Sequence, residues 1–336
     1  MKKIAGLMAS LLLFTIALTG CTVTPSEGGQ TASSEITTQS SSKEASKEKS
    51  NSIQGVSEWP RTITDGAGHE IVLDKKPERI AILHSMFLEH FFALESPPIA
   101  SAGSTVGNAM RALETWETLK PFAGSADILD LGSAREINLE AVLESNPDVI
   151  VTFKGHGGID AIYDQLSEIA PVILLNYPAS WQEQMMDCAE IVGKEDFAQT
   201  FIEETQALLD STQNTLSAYK DKSFAIFRTD SGKAFITRGD KQYYETFGLT
   251  KPEGYPDEYS TVSLEVVAEM NPDYIVFQDF TDVAQSFVKT LENNTVWQSL
   301  DAVQNEKIFY FDDSLNTFGP LALRLTAEKL LEIYSN

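Results

Sequence analysis

One segment of this chain occurs twice. Ile137 to Val151 reads INLEAVLESNPDVIV, and Val262 to Val276 reads VSLEVVAEMNPDYIV. The copies align without a gap and share Leu, Glu, Val, Glu, Asn-Pro-Asp and Ile-Val at matching places. A polar residue, Asn138 or Ser263, stands where it can cap a short helix. Asn-Pro-Asp then ends that helix, because proline lacks the donor and restricts the residue before it. A β-rich run follows. Each half therefore carries the same supersecondary unit, and two related lobes are expected.

Between the copies, Glu195 to about Lys220 reads as one long helix without Gly or Pro, with Phe197, Phe201, Leu208, Leu209 and Leu216 among its apolar positions. Short apolar runs alternate with amphipathic stretches on either side. Arg79–Leu83, Ile99–Ala102, Val149–Phe153 and Val172–Leu175 are candidate strands of the first half. Phe224–Phe227, Tyr274–Phe277 and Lys307–Phe311 are those of the second. Met86–Leu94, Leu139–Ser145, Gly158–Glu168 and Trp181–Val192 have helical patterns. This alternation implies an α/β fold of mainly parallel sheets covered by helices. The expected architecture is two Rossmann-like lobes with parallel-type sheets, residues 58–194 and 221–336, joined by one long rigid helix, 195–220.

The first twenty residues set the compartment. Lys2 and Lys3 precede an uncharged apolar stretch, Ile4 to Ala17, too short for a comfortable membrane span and laid out as a secretory signal. Leu18-Thr19-Gly20-Cys21 follows and resembles the bacterial lipobox, whose cysteine carries a diacylglycerol. Residues 1–20 are thus expected to be a signal peptide and 21–57 a lipidated linker. From Thr22 to about Gln54 the composition falls to Ser, Thr, Glu, Lys, Gly and Gln, which cannot bury enough surface to offset its ordering entropy. Loss of residues 1–20 removes two lysines and no acid, moving the formal charge from −24 to −26. So acidic a chain is a poor partner for nucleic acid or anionic lipid surfaces. Cys21 and Cys188 are its two cysteines, so with the anchor set aside Cys188 has no intramolecular partner and reads as a small buried hydrophobe.

Further pieces fall in a recognisable order. Lys76-Pro77-Glu78-Arg79-Ile80 precedes the first strand, followed by the first Leu-Glu…Asn-Pro-Asp unit. Tyr163-Asp164-Gln165-Leu166 and Ile169-Ala170-Pro171-Val172 come next. The second unit, Val296-Trp297 with Ala302-Val303, and Gly319-Pro320-Leu321-Ala322 complete the set. From about Trp59 onward the chain resembles the substrate-binding proteins of bacterial ABC importers for iron-siderophore complexes, haem and cobalamin, most of all the ferric-siderophore and ferric-citrate binders. The resemblance implies a monomeric extracytoplasmic lipoprotein that passes a ferric siderophore or ferric citrate to a permease, and through it to an ATPase on another chain. It also implies one exposed permease-docking glutamate per lobe, at Glu140 and Glu265. A carboxylate in the first turn of a helix suits the helix dipole. Glu144 and Glu269 repeat as well and rank lower.

Ligands of open parallel sheets sit outside the carboxyl ends of the strands. In the first lobe that rule selects His84, Ser85, Met86, Ser104, Lys154, His156 and Trp181. In the second it selects Arg228, Arg238, Tyr243, Tyr244, Asn316, Thr317 and Phe318. An Fe(III)–chelator complex needs guanidinium donors for its oxygens and aromatic faces for its skeleton. By the resemblance Arg228 is the anchor. Arg238 and Lys154 suit a solvated loop as well as the cleft, Trp181 suits the core as well, and of Tyr243 and Tyr244 one should face the cleft. Arg238-Gly239-Asp240 spells an adhesion tripeptide within this ligand loop, where chance explains it better.

Direct metal capture is less attractive. The four histidines, His69, His84, His90 and His156, all precede the long helix, and neither HxH nor HExxH occurs. His84 and Met86 could reach a haem iron from one lobe only, so haem and cobalamin stand as the alternatives. An enzyme finds no Gly-rich phosphate loop, no GxSxG elbow and no nucleophile–base pair. A sensor lobe or adhesin has no use for paired docking glutamates.

Overall fold

The computed structural model describes residues 59–104, 107–238 and 241–335. The expected signal peptide, Cys21 and the linker through residue 57 lie outside them, as do Gly239 and Asp240 of the tripeptide. A short antiparallel hairpin, β1 (Arg61–Thr64) with β2 (Glu70–Leu73), leads into the first sheet. That sheet holds β3 (Ile80–Ile82), β4 (Ala100–Gly103), β5 (Leu129–Ser133), β6 (Val149–Phe153) and β7 (Val172–Leu175). The order is β5-β4-β3-β6-β7, and every pair is parallel. The second sheet holds β8 (Phe224–Arg228), β9 (Phe235–Thr237), β10 (Thr261–Val262), β11 (Tyr274–Gln278) and β12 (Ile308–Phe311). Its order is β10-β9-β8-β11-β12. Here β8, β11 and β12 are parallel, whereas β9 and β10 add an antiparallel edge. The link from Thr229 to Ala234 is too short for the crossover that a parallel neighbour of β8 would need.

The repeated unit folds alike in both lobes. Asn138 and Ser263 cap the helices Leu139–Glu144 and Leu264–Met270 by accepting backbone N–H groups of their first turns. Asn146 and Asn271 take positive φ of 47° and 35°, a region that asparagine enters more readily than most residues. The aspartate of each Asn-Pro-Asp then reaches the entry of the central strand of its own sheet. Asp148 accepts from the N–H groups of Glu78 and Arg79 at 3.0 and 3.2 Å. Asp273 accepts from the Ser223 N–H at 2.8 Å and its hydroxyl at 2.9 Å. Arg79 completes the first clasp by donating to the carbonyls of Ser145 and Asn146.

The long helix spans Glu195–Leu216, about 33 Å at an ordinary helical rise. Its first half gives Ala198, Phe201 and Ile202 to the core of the first lobe. Its second half gives Leu208, Leu209 and Leu216 to the core of the second. Phe197, an apolar position of the sequence pattern, instead lies on the outer face at 40% exposure, beneath the Lys194 ammonium. The final helix, Pro320–Ser335, also serves both cores: Leu321 packs in the first, and Leu323, Ala327 and Leu330 lie in the second. Cys188 is fully buried in the first core, where burial pushes its thiol well up.

Burial alone would raise Asp148 and Asp273, but their N–H donors and the nearby Lys75 and Lys222 hold both below the usual aspartate range. A carboxylate depressed in the folded state adds stability that is present above its unfolded pKa and lost as pH falls through the folded one. Replacing Asp148 and Asp273 by Asn should therefore cost about 1 kcal/mol per site at pH 7, solvent access keeping the figure modest. The cost should shrink below about pH 4. Urea unfolding of the double variant from pH 3 to pH 7 checks this, and a cost that persists unchanged at pH 3 would contradict it.

Candidate functional site

Both sheets reverse direction of growth beside their central strand, between β3 and β6 in the first and between β8 and β11 in the second. Crevices at such points are where open α/β sheets take ligands. The carboxyl ends of β3 and β6 place His84 and His156 with ring centroids 5.6 Å apart. His84 accepts the Met86 N–H on Nδ1 at 3.3 Å, so the neutral ring carries its proton on Nε2. Burial, and then the nearness of His156, brings its pKa down to about 4. Phe153 stacks on His156 at 4.8 Å and meets Tyr177 at 5.1 Å.

Between the lobes lies a cavity of about 700 Å³. From the first lobe it takes His84, Met86, Ser104 and Trp181; from the second, Arg238 and Phe318. These six are sequence candidates, and the structure brings them together. Trp181 is placed by helix chemistry: Ser180 caps the helix Trp181–Val192, and Glu183 returns the bond to the Ser180 N–H at 2.9 Å. Its indole also packs against the second lobe's core, so Trp181 serves core and cleft together. Arg238 directly follows β9, where it donates to the Asn316 side-chain carbonyl and lies over the Phe318 ring at 5.9 Å.

Three more candidates, Ser85, Asn316 and Thr317, also line the cavity, whereas Lys154, His156, Arg228, Tyr243 and Tyr244 are not among its lining residues. Arg228 is held by Asp313 at 2.7 Å and Asp279 at 3.6 Å, with its side chain only 20% exposed. Tyr243 and Tyr244 are both buried, contrary to the expectation that one faces the cleft. Their hydroxyls donate to the carbonyls of Leu315 and Phe224. They stand on the helix Lys241–Phe247, whose inner face closes the second lobe's core. His156 is bracketed by the Thr152 hydroxyl and the Ala134 carbonyl, each at 2.6 Å. Burial lowers its pKa, partly offset by that carbonyl. Lys154 is exposed to solvent.

Sequence reasoning missed Asn108, Trp116, Tyr177, Gln184, Gln242 and Thr246 in the lining. Tyr177 was within reach, since it follows β7 as His84 follows β3. A second hollow of about 810 Å³ adjoins the first at Asn108. Phe280 and Tyr310 are its aromatic lining, and lobe-bridging contacts border it: Lys329 to Glu117 at 2.8 Å, and the Glu117 N–H to Asp312 at 3.1 Å. Though larger, it lacks the opposed aromatic faces of the first cavity, which is the better seat for an organic ligand. Among the described residues no group of three or more His, Cys, Asp or Glu is placed to hold a metal ion.

Below the cavity a single carboxylate ties the lobes. Glu89, from the first-lobe helix Leu88–Ala93, is 1% exposed. It accepts from the N–H groups of Leu321 and Ala322 at 2.9 and 2.8 Å and from the Thr317 hydroxyl. A Cβ at Gly319 would fall on this carboxylate, which explains the glycine of Gly319-Pro320. Burial raises Glu89 to about 7 against the pull of these donors. Its neighbour His90 is equally buried, and burial takes it down to about 3.

The family model for periplasmic binding proteins matches residues 80–315. The iron(3+)-hydroxamate-binding protein YxeB of Bacillus subtilis is 25% identical over 343 residues, covering 96% of this chain and 94% of that protein. The Fe(3+)-citrate-binding protein YfmC of the same organism is 23% identical over 345 residues, covering 99% and 98%. Among solved structures, the iron-uptake system-binding protein FeuA of B. subtilis superposes with a TM-score of 0.64 at 23% identity. That match covers 80% of this chain and all of FeuA, and it shows a shared fold.

Glu89→Ala should cost about 2–4 kcal/mol in urea unfolding, because two buried N–H groups lose their acceptor. The pH response separates charge from packing. An acid raised in the folded state stabilises below its unfolded pKa and loses that contribution as pH rises through about 7. The depressed His84, His90 and His156 tilt stability the other way between about pH 4 and pH 6.5. Subtracting Glu89→Gln from the wild type isolates the glutamate. The wild type should lose ground to Gln between about pH 4.5 and pH 7, and parallel curves would refute a buried titrating carboxylate.

Proposed function

Because the chain belongs to the periplasmic binding protein family, we propose that it captures an Fe(III)–chelator complex in the interlobe cavity and delivers it to an ABC importer. The cavity itself carries this reading. It lies at the carboxyl ends of strands from both sheets, and Trp116, Tyr177, Trp181 and Phe318 offer aromatic faces while Arg238 supplies a guanidinium. A preformed hollow that sets aromatic faces beside convergent polar groups suits a ligand whose iron is already fully coordinated by its chelator. The chelate is released unchanged rather than turned over, and its iron is cargo.

Delivery falls to Glu140 and Glu265. Both are exposed, and they occupy the same first-turn place in the two copies of the repeat. The Ser263 hydroxyl and the Glu265 N–H hold Glu265 below the usual glutamate range, so it stays charged. Two such carboxylates on lobes spaced by a stiff helix suit charge-assisted contacts with permease arginines. The protein acts as a monomer, outside the cytoplasmic membrane, tethered by a lipid on Cys21. Among the described residues no helix is long and apolar enough to cross a membrane.

Two of the chain's four tryptophans line the cavity, so ligand entry should quench intrinsic fluorescence. Titration with ferric siderophores, ferric citrate, haem and cobalamin, beside the iron-free chelators, should give saturable quenching by a ferric complex at micromolar levels or tighter. A response to haem or cobalamin alone would keep the binding role and change the ligand. For docking, Glu140→Ala with Glu265→Ala should lower iron uptake by cells at least tenfold while the chelate Kd moves less than twofold. Normal uptake by the double variant would remove these glutamates from the permease contact.

A further inference from the structure

The chelate classes differ first in charge. Three hydroxamates neutralise Fe(III), whereas three doubly charged catecholates leave a trianion and citrate complexes also stay anionic. A cleft that takes a trianion must supply excess positive charge, because a desolvated anion without cationic partners is strongly disfavoured.

This cleft supplies none. Among the described residues lining the 700 Å³ cavity, the charged side chains are Arg238 and Asp313, one of each sign. His84 is held neutral by burial and by the nearness of His156. Arg228, the cation that stands nearest at the strand ends, is enclosed by two carboxylates, Asp313 at 2.7 Å and Asp279 at 3.6 Å. Asp279 has further roles, accepting from the Thr229 N–H and hydroxyl at 3.0 and 2.8 Å, which fixes it beside the guanidinium. The adjoining hollow adds no positive excess. Its bases are Arg111, Lys120 and Lys329, and its acids are Glu114, Glu117, Asp282 and Asp312. An incoming trianion would thus meet a slightly negative lining on a chain whose formal charge is −24.

What the cavity does offer is neutral. Asn108 and Asn316 bring side-chain amides to the lining, beside four aromatic rings. Amides and hydroxyls hydrogen-bond the oxygen shell and peptide-like skeleton of an uncharged chelate without a charge to desolvate. We propose that the cleft selects ferric trihydroxamates over ferric tricatecholates and ferric citrate. This rests on the chelate-capture reading of the same cavity.

The test is a panel of Kd values by fluorescence quenching and calorimetry at physiological salt. Ferrioxamine B and ferrichrome serve as trihydroxamates, ferric enterobactin as the tricatecholate, and ferric citrate as the carboxylate complex. A trihydroxamate should bind at least tenfold more tightly than the other two classes. Tighter binding of ferric enterobactin or ferric citrate overturns the selectivity and leaves chelate capture standing. Absence of binding by every ferric complex overturns both. Asp313→Asn probes the cause, since it releases one of the two carboxylates on Arg228. The variant should bind ferric enterobactin at least fivefold more tightly than the wild type does, with the trihydroxamate Kd little changed. An unchanged ratio between the two classes in a folded Asp313→Asn protein overturns the charge basis.

Discussion

The carboxylate of Glu89 is the contact on which the cleft depends. A helix begins with N–H groups that have no intrahelical acceptor, and the final helix begins in the interior, at the seam between the lobes. Two of its leading N–H groups, those of Leu321 and Ala322, end on a side chain from the other lobe. The same carboxylate takes the Thr317 hydroxyl, so it also fixes the chain just before the helix. Phe318 is confined between these anchor points, and its φ of 54° aims the ring toward Tyr243 and under Arg238. Removing a carboxylate from water is costly, and its raised pKa records that cost. The return is a positioned cavity wall built from residues that a free loop would leave mobile.

Other links across the seam act in the same sense. Glu117 and Thr118 donate their N–H groups to Asp312 and the Ser314 hydroxyl, and Lys329 pairs with Glu117. The long helix contributes to both cores at once, and so does the final helix. A hinge needs a few residues that absorb large backbone changes. Here the covalent connection is an uninterrupted helix of 22 residues, and the seam beside it is hydrogen-bonded. Closure on a ligand is therefore a matter of small rigid-body adjustment and of side chains, and the cavity exists largely preformed. That arrangement limits the ordering entropy paid when a ligand enters.

The sequence was most legible where the chain repeats itself. Two gapless copies implied two α/β lobes, and the sheets follow. The copies did not disclose why Asp148 and Asp273 recur: each fastens the strand entering the centre of its sheet, across 69 residues in one lobe and 50 in the other. Buried strands such as β6 and β11 declared themselves as continuous apolar runs. β1, β2, β5 and β10 did not, because they are short, edge-placed or partly exposed, and β5 reads LDLGS. At the site, the strand-end rule found His84, Ser85, Met86, Ser104, Trp181, Arg238, Asn316, Thr317 and Phe318. It also selected His156, Tyr243 and Tyr244, whose polar atoms turn inward to backbone carbonyls. Position along a strand fixes where a side chain starts, while burial of its neighbours decides which way it points.

Arg228 makes the same point about charge. By residue type and position it is the natural anion anchor, standing where the central strand of the second lobe ends. Its partners come from the ends of the next two strands, Asp279 after β11 and Asp313 after β12, and the parallel order β8-β11-β12 gathers all three at one edge. No spacing rule in the chain announces that meeting, because it is made by the sheet. Once formed it changes what the residue can do, since a guanidinium between two carboxylates presents little net field to a third anion. Selectivity in such a cleft is therefore set by how the acids behind the arginines are arranged, as much as by the arginines themselves. Two proteins of this fold could keep the same arginine and still take chelates of different charge.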